Sequence, residues 1–183
     1  MSHPLQAFFG RIPLFSTLTP DELNEFLRAI EPTQLPKGQL LFKENQVGDG
    51  AYVVESGEID VYLDRPEGRI SLARFGPGEI LGEIALVDGE KRTAHAEAAS
   101  EVSLFKINKD EFDFLRRNRR PAAYKIVRRI AVSVCERLRD TNTLIQEALA
   151  DDGSEKLVEY VEKQDAEQPQ KRLLGRLAFW RQR

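Results

Sequence analysis

The sequence predicts an α+β protein: an antiparallel β-roll, jelly-roll-like, with helical segments before it and a long helix after it. Three observations lead to this fold class. Between Thr33 and about Ile107, short apolar alternations are separated by glycine-bearing turns, which is the pattern of β-strands. On both sides of this region, apolar residues recur at helical spacing. Roughly eight short strands in so short a region indicate a small antiparallel roll or sandwich.

Composition limits the function classes. The chain has 183 residues, 41% hydrophobic and 31% charged, which is enough for one well-buried domain with accessory segments. The net charge of -3 gives no general indication of a nucleic-acid partner. A single cysteine, Cys135, excludes an intrachain disulfide and a cysteine-cluster metal site. With neither a signal-peptide pattern nor a run of about 18 apolar residues, we expect a cytoplasmic protein without a bound metal.

Residues 1–31 are predicted to form an N-terminal helical segment. Its apolar residues at helical spacing are Leu23, Phe26, Leu27 and Ile30. Thr19 is placed to cap the helix, since Pro20 follows at the first helical position and Glu22 stands three residues on.

Residues 32–107 are assigned to the β-roll. The clearest strand is 58–64, and a turn at 65–68 leads into a second strand ending at Phe75, so the two form a hairpin. Further short strands are expected at 39–43, 51–55, 94–99 and 102–107.

Residues 108–150 are predicted to be helical, with Asn108 and Glu111 as a cap signal and a long helix from Pro121 to about Ala150. A seam close to heptad spacing runs along the long helix through Val127, Ile130, Val134, Leu138, Thr141, Ile145 and Ala148. Two interpretations are open: the helix pairs with a second copy through 121–148 as a homodimer, or it lies on its own roll.

The segment 75–96 contains the candidate site. Glycines at 76, 78 and 82 permit a tight backbone path, and residues 83–86 can form one helical turn whose free N–H groups attract an anion. Arg92 can return to the same opening and pair with a phosphate through two hydrogen bonds. A carboxylate at Glu83 then makes sense as the acceptor of a hydroxyl. A ligand with a phosphate and a sugar hydroxyl, such as a nucleotide, would satisfy both Arg92 and Glu83.

These residues resemble the phosphate-binding cassette of the cyclic nucleotide-binding domain family, of the catabolite activator and protein kinase A regulatory subunit type. The resemblance is carried by Phe75-Gly-Pro-Gly, Gly82-Glu-Ile-Ala-Leu86 and Arg92-Thr-Ala94, and it extends over about 12–148. Lys91 departs from the proline that many members have at its position.

The resemblance implies a role for each residue. Arg92 would bind the cyclic phosphate, Glu83 would accept the ribose 2'-hydroxyl, and N–H groups near Gly82, Ala85 and Thr93 would complete the cradle. The implied ligand-binding residues are Gly82, Glu83, Ile84, Ala85, Arg92, Thr93, Ala94, Thr141 and Asn142.

The identity of the base is less constrained by the sequence than the phosphate and the ribose are. A hydroxyl at Thr93 is often linked to cyclic GMP in the family, although many cyclic AMP binders also carry one. Thr141 and Asn142 fall where catabolite activator relatives place residues over adenine, so we favour cAMP, with cGMP as the alternative. Thr141 has a second interpretation, a polar residue that fixes the register of the seam.

Residues 112–139 are basic, with nine Lys and Arg against two acidic residues. Only 33 residues follow Ala150, too few for the helix-turn-helix domain of the catabolite activator relatives. The arginines are therefore interpreted as a solvated face or a partner surface rather than a nucleic-acid site, with contact to a phosphate backbone as the alternative.

The segment 151–183 has two opposed halves. Residues 151–170 carry a net charge of -5 and residues 171–183 one of +5. The basic half fits an amphipathic helix, and three interpretations compete: capture of a protein partner, a peripheral membrane contact, and packing on its own domain or disorder.

Taken together, the sequence predicts a non-enzymatic cyclic nucleotide sensor that signals occupancy to a partner through its C-terminal helices. The alternatives are a ligand-independent scaffold with the same fold and a short catabolite-activator-like transcription regulator.

Overall fold

The computed structural model describes residues 4–66 and 68–151. It contains five α-helices among these residues, with a 3-10 turn at Leu27–Ala29, and eight β-strands. The helices are α1 (Pro4–Phe9), α2 (Pro20–Phe26), α3 (Ala85–Asp88), α4 (Lys109–Arg117) and α5 (Pro121–Asp151). The strands are β1 (Ile30–Leu35), β2 (Leu40–Phe42), β3 (Gly50–Ser56), β4 (Ile59–Arg65), β5 (Gly68–Phe75), β6 (Ile80–Leu81), β7 (His95–Ala98) and β8 (Val102–Asn108).

The strands form two antiparallel sheets of four. One sheet has the order β1-β8-β3-β6 and the other β2-β7-β4-β5. With helices before and after them and a long C-terminal helix, this is the predicted α+β roll, so the fold class is confirmed. The hairpin of β4 and β5 also lies where the turn signal places it.

The strand β3 separates two hydrophobic cores. Its residues Ala51 and Val53 pack into a cluster with the helical residues Phe9, Phe26 and Ile126. Alternate residues of the same strand, Tyr52 and Val54, pack between the two sheets. Because successive side chains of a strand point to opposite faces, β3 is apolar throughout this run. One short segment therefore ties the helices to the roll.

The N-terminal helix α2 begins as the sequence predicts. The Thr19 hydroxyl accepts from the backbone N–H of Glu22, whose carboxylate accepts from the backbone N–H of Thr19. The same carboxylate pairs with Lys125 of α5 at 2.7 Å. The cap thus also fastens α2 to the start of the long helix.

The predicted helical character of Ile30 is wrong. Ile30 is the first residue of β1 and lies opposite Ile107 of β8. Its spacing from Phe26 suits a helix, but pairing with β8 satisfies its backbone groups, and Pro32 disfavours continuation of a helix. The helical segment therefore ends at the 3-10 turn.

The chain divides into two units, Met1–Val132 and Ser133–Arg183, and α5 contributes residues to both. In the second unit, the seam residues Val134 and Leu138 are 36% and 56% exposed. The predictions for 152–183, including the basic segment 171–183, concern residues outside those that the structure describes. The division of the chain at 31, 107 and 150 stays a prediction.

In the described part of the chain, no helix combines the length and the apolar composition that a membrane crossing requires.

Candidate functional site

The cassette backbone turns sharply after β6. Gly82 adopts a positive φ of 71°, which a glycine accepts at little cost. The chain then forms the short helix α3, whose preceding turn is closed by a hydrogen bond from the Leu86 N–H to the Glu83 carbonyl. The predicted helical turn is therefore present, displaced by two residues towards the C-terminus. The first N–H groups of such a turn have no acceptor within the helix.

Arg92 is the central cation of the site and is only 5% exposed. Its Nη1 donates to the Gly82 carbonyl at 3.1 Å. Its Nη2 donates to the Gly50 carbonyl at 2.7 Å and to Asp49 Oδ1 at 3.1 Å. The guanidinium carbon lies 4.3 Å from the centre of the Phe42 ring, a cation–π distance. The side chain is thus fixed from several sides.

One nitrogen of this guanidinium is buried without a hydrogen bond. The Arg92 Nε is buried and has no hydrogen-bond partner among the described residues. A buried donor without an acceptor is costly, because it has lost water and gained nothing in exchange. An anion reaching this nitrogen would remove that cost, so the arrangement favours a negatively charged ligand.

The backbone of Arg92 is also anchored. Its N–H donates to the Gln46 carbonyl at 2.7 Å, and its carbonyl accepts from the Asn45 N–H at 2.8 Å. A bridge between Val47 and Lys91 continues this pairing. The loop after β2 therefore holds the arginine segment in register, independently of the side chain.

Asp49 links Arg92 to two further groups. Its Oδ1 also accepts from the Tyr52 hydroxyl at 3.2 Å, and its Oδ2 lies 2.6 Å from Lys106 Nζ. Burial acts to raise the pKa of Asp49, but the hydrogen bond and charge of Lys106 outweigh it, so this pKa lies below its ordinary value. Burial raises the pKa of Tyr52 to about 12, so its hydroxyl keeps its proton. Asp49 is thus an anion held between two cations.

The glycine at Gly48 permits close contact between the loop after β2 and the cassette. A Cβ on Gly48 would lie 2.4 Å from the Ala85 Cβ, closer than two carbon atoms can approach. The N–H of Gly48 also donates to the Glu90 carbonyl at 3.3 Å. The two loops that carry Asp49 and Ala85 therefore pack directly on each other.

The predicted site residues of the first unit differ in their exposure to solvent. Glu83, Ala85, Arg92 and Ala94 are buried, Gly82 is half-buried, and Ile84 and Thr93 are exposed. The structure brings Gly82 and Arg92 into contact across ten residues of chain. The exposed Thr93 adjoins the buried arginine in sequence, so its hydroxyl is accessible to a ligand.

Thr141 and Asn142 lie in the second unit, within α5. The Thr141 hydroxyl donates to the Arg137 carbonyl at 2.8 Å, one helical turn earlier. Such bonds are common for threonine within helices. The part of Thr141 and Asn142 in ligand binding stays a prediction.

Sequence reasoning missed three neighbours of the arginine, Phe42, Asp49 and Tyr52, and also Lys106, which pairs with Asp49. They come from β2, the loop before β3, β3 itself and β8, and only the pairing of the strands brings them together. An acidic residue beside Gly48 and Gly50 was the one signal available. Across residues 4–66 and 68–151, no group of three His, Cys, Asp or Glu side chains is placed to hold a metal ion.

Comparison with known proteins identifies a matching family and related proteins. Residues 32–119 match the family described as cyclic nucleotide-binding domain. The chain is 33% identical over 107 residues to the cAMP-dependent protein kinase regulatory subunit of Emericella nidulans, covering 58% of this chain and 26% of that protein. The chain thus spans about a quarter of that relative.

Two solved structures have the same fold. The N-terminal domain of a transcriptional regulator from Streptomyces coelicolor is 33% identical with a TM-score of 0.63, covering 75% of this chain and 94% of that one. The regulatory domain of Toxoplasma gondii protein kinase A, crystallised with cAMP, is 26% identical with a TM-score of 0.56, covering 60% and 42%. The chain belongs to the cyclic nucleotide-binding domain family.

Proposed function

We propose that the chain binds cAMP in the cassette and signals its occupancy to a partner, without chemistry on the ligand. The observation that carries the proposal is the buried guanidinium of Arg92, whose Nε lacks an acceptor. A cyclic phosphate supplies such an acceptor and a compensating charge. The family membership and the cAMP named for two similar proteins support the same ligand.

Different residues contact the phosphate and the ribose of the ligand. Arg92 binds the cyclic phosphate, and backbone N–H groups near Gly82, Ala85 and Thr93 donate to its other oxygens. Glu83, which is 6% exposed, accepts the ribose 2'-hydroxyl. A phosphate and a hydroxyl read by these groups define a nucleotide with a free 2'-hydroxyl.

On binding, the phosphate of the ligand replaces Asp49 as the anionic partner of Arg92. In the structure the Arg92 Nη2 pairs with Asp49, whose side chain is 48% exposed. Lys106 remains as a partner for Asp49 if the phosphate attracts the arginine away from it. This exchange supports a change in the loop after β2 on binding, because that loop carries Asp49.

The base is recognised by groups outside the cradle. We propose that Thr93 contacts the base or its phosphate, and that Thr141 and Asn142 contribute to adenine recognition, which favours cAMP over cGMP. The test is the ratio of the two dissociation constants in Thr93→Ala and in Thr141→Ala. A role in base choice changes the ratio, whereas a structural role leaves it unchanged.

The long helix α5 transmits nucleotide occupancy to the partner. We propose that α5 pairs with a second copy through 121–148, because Val134 and Leu138 of the seam are exposed. The charged segment 151–183 is the proposed contact with a protein partner, and a membrane surface is the alternative for 171–183. Deleting 171–183 should leave nucleotide affinity unchanged and abolish capture of that partner or membrane.

Isothermal titration with cAMP, cGMP and 5'-AMP tests the proposal. We expect saturable binding of a cyclic mononucleotide, weaker binding of 5'-AMP, and binding at least about tenfold weaker in Arg92→Ala. Absence of any nucleotide binding would favour the ligand-independent scaffold. Salt-dependent retention of duplex DNA would instead favour a short transcription regulator.

A further inference from the structure

The start of α5 and the end of α4 form a strongly basic surface that nucleotide binding does not explain. Between residues 114 and 132 there are seven Lys and Arg and no Asp or Glu. Four of these cations have acceptors in the first unit: Arg116 on Asp113, Arg120 on Glu25, Lys125 on Glu22, and Arg129 on the Pro13 carbonyl. The other three, Arg117, Arg119 and Arg128, have no acceptor among the described residues.

Two aromatic side chains are exposed in the same stretch of chain. Phe114 is 60% exposed and Tyr124 is 71% exposed. Phe114 lies one turn before Arg117 on α4, and Tyr124 lies one turn before Arg128 on α5, so each aromatic ring is beside an unpaired arginine. We call the surface formed by Phe114, Arg117, Arg119, Tyr124 and Arg128 the arginine face.

The arginine face does not pack on residues 4–66 or on the rest of 68–151. Ala122, Ala123, Ile126 and Ile130 are the buried residues of this part of α5. Lys125 and Arg129 contact the N-terminal segment instead. Tyr124 and Arg128 therefore occupy the outward side of the helix. On α4, a groove of about 490 Å³ lies between Asp110, Glu111, Phe114 and Arg117.

The backbone at Arg119 adds a second observation. Arg119 has a φ of 53°, in the left-handed region, and Gly is the residue that tolerates this conformation best. The Arg120 N–H donates to the Leu115 carbonyl and the Arg119 N–H to the Arg116 carbonyl, which is the pattern of a helix end where glycine is usual. An exposed arginine thus occupies a position where glycine would be more stable.

We propose that the arginine face docks an acidic segment of a partner protein that carries an apolar anchor. Guanidinium groups without acceptors pair with carboxylates through two hydrogen bonds, and Arg, Tyr and Phe are enriched in protein interfaces. The exposed ring of Phe114, beside Arg117, is the proposed contact for the apolar side chain. The whole chain has a net charge of -3, which opposes binding of a long nucleic acid, so charge complementarity of the arginine face favours a short acidic peptide.

Fluorescence anisotropy tests the proposal with defined probes. The first is a synthetic acidic peptide in which leucines recur at helical spacing among glutamates. The second carries serine at each leucine position. The third and fourth are a single-stranded and a duplex oligonucleotide. We expect saturable binding of the leucine peptide by the wild-type chain without nucleotide, and weaker binding of the other three.

Variants then locate the binding. We expect Arg117→Glu and Arg128→Glu each to weaken the leucine peptide by about tenfold, and Phe114→Ser by several-fold. Lys37→Glu is the matched control, because it makes the same charge change at an exposed cation on the turn after β1. Its peptide affinity should stay within about twofold of the wild type.

Arg119→Gly separates binding from folding. Since glycine suits this backbone position better, the variant should have a higher Tm than the wild type and yet bind the peptide more weakly. Lowered affinity in a more stable protein cannot come from misfolding.

Three results would overturn the proposal. The first is no binding of the leucine peptide by the wild type. The second is a loss of peptide affinity in Lys37→Glu as large as that in Arg117→Glu. The third is binding of an oligonucleotide or of the serine peptide as tight as that of the leucine peptide. None of these readouts requires nucleotide, so they are independent of the proposed function.

Discussion

The guanidinium of Arg92 occupies the space in which a side chain at position 82 would lie. A Cβ placed on Gly82 would be 2.3 Å from Arg92 Nη1 and 3.3 Å from its Cζ. The same Nη1 donates to the Gly82 carbonyl at 3.1 Å. The absence of a side chain at Gly82 is therefore a condition for the position of Arg92, in addition to the positive φ of Gly82.

Gly82→Ala should both destabilise the fold and weaken nucleotide binding. The left-handed backbone costs an alanine roughly 1 to 2 kcal/mol, and the methyl group displaces Arg92. Denaturant unfolding measures the first effect and isothermal titration the second.

Gly78→Ala is the matched control. Gly78 has a similar φ of 84°, but a Cβ there meets nothing within 4 Å. It should lose a similar stability for the backbone alone and keep its affinity. If the two variants bound nucleotide equally well, contact with Gly82 would have no part in placing Arg92.

Arg92→Ala should weaken cyclic nucleotide binding by roughly 1.5 to 3 kcal/mol, because a charge-assisted contact to the phosphate is lost. Arg92→Lys should recover only part of this, since an ammonium cannot donate in the fixed planar geometry of a guanidinium. Competition titration with a fluorescent cyclic nucleotide measures both variants. Wild-type affinity in Arg92→Ala would remove the cassette from the account.

Stability should fall in acid because several carboxylates are stabilised in the folded state. The hydrogen bond from Lys125 is the main cause that lowers the pKa of Glu22, and that from Arg69 is the main cause for Glu97. A lowered folded pKa stabilises the protein above the unfolded value of 4.5, and this contribution is lost as the pH falls through the folded pKa. We therefore expect Tm to decline below about pH 4.5.

Glu22→Gln tests whether the charge of Glu22 contributes to this pH dependence of stability. The variant should have a lower Tm than the wild type near neutral pH, and the difference should shrink as the pH falls through the lowered pKa of Glu22, where the wild-type carboxylate becomes neutral like the amide. A difference that stayed constant with pH would mean that Glu22 acts through packing rather than charge.

Pairing of α5 with a second copy is tested at Leu138. The side chain is 56% exposed in the single chain, and replacing it by Glu places a charge in the proposed seam. Analytical ultracentrifugation should show a dimer for the wild type and a monomer for Leu138→Glu. Arg139→Glu, at the next exposed position of the helix, serves as the control and should remain dimeric. A monomeric wild type at all concentrations would contradict the seam.

Elements with strong local signals are predictable from this sequence. Thr19 and Glu22 form the predicted capping box, and Pro121 begins the long helix, because capping and proline effects act over a few residues. The contact between Gly82 and Arg92 follows the predicted return of the arginine to the cassette.

Contacts that depend on strand pairing are not predictable in this way. Asp49 and Lys106 are 57 residues apart and meet only because β3 pairs with β8. Ile30 has helical spacing in the sequence, but its pairing with Ile107 determines its conformation. Tertiary pairing overrides the local pattern at these positions.

The most direct test of the central claim is thermal unfolding of the purified chain with cAMP, cGMP and 5'-AMP, each over a concentration series. A ligand that binds only the folded state stabilises it by about 2.7 kcal/mol at a hundredfold excess over Kd. We predict a concentration-dependent rise in Tm with cAMP, a smaller one with cGMP, and in Arg92→Ala a rise that requires at least about tenfold more of either nucleotide. No rise in the wild-type chain with any of the three would contradict the proposed sensor.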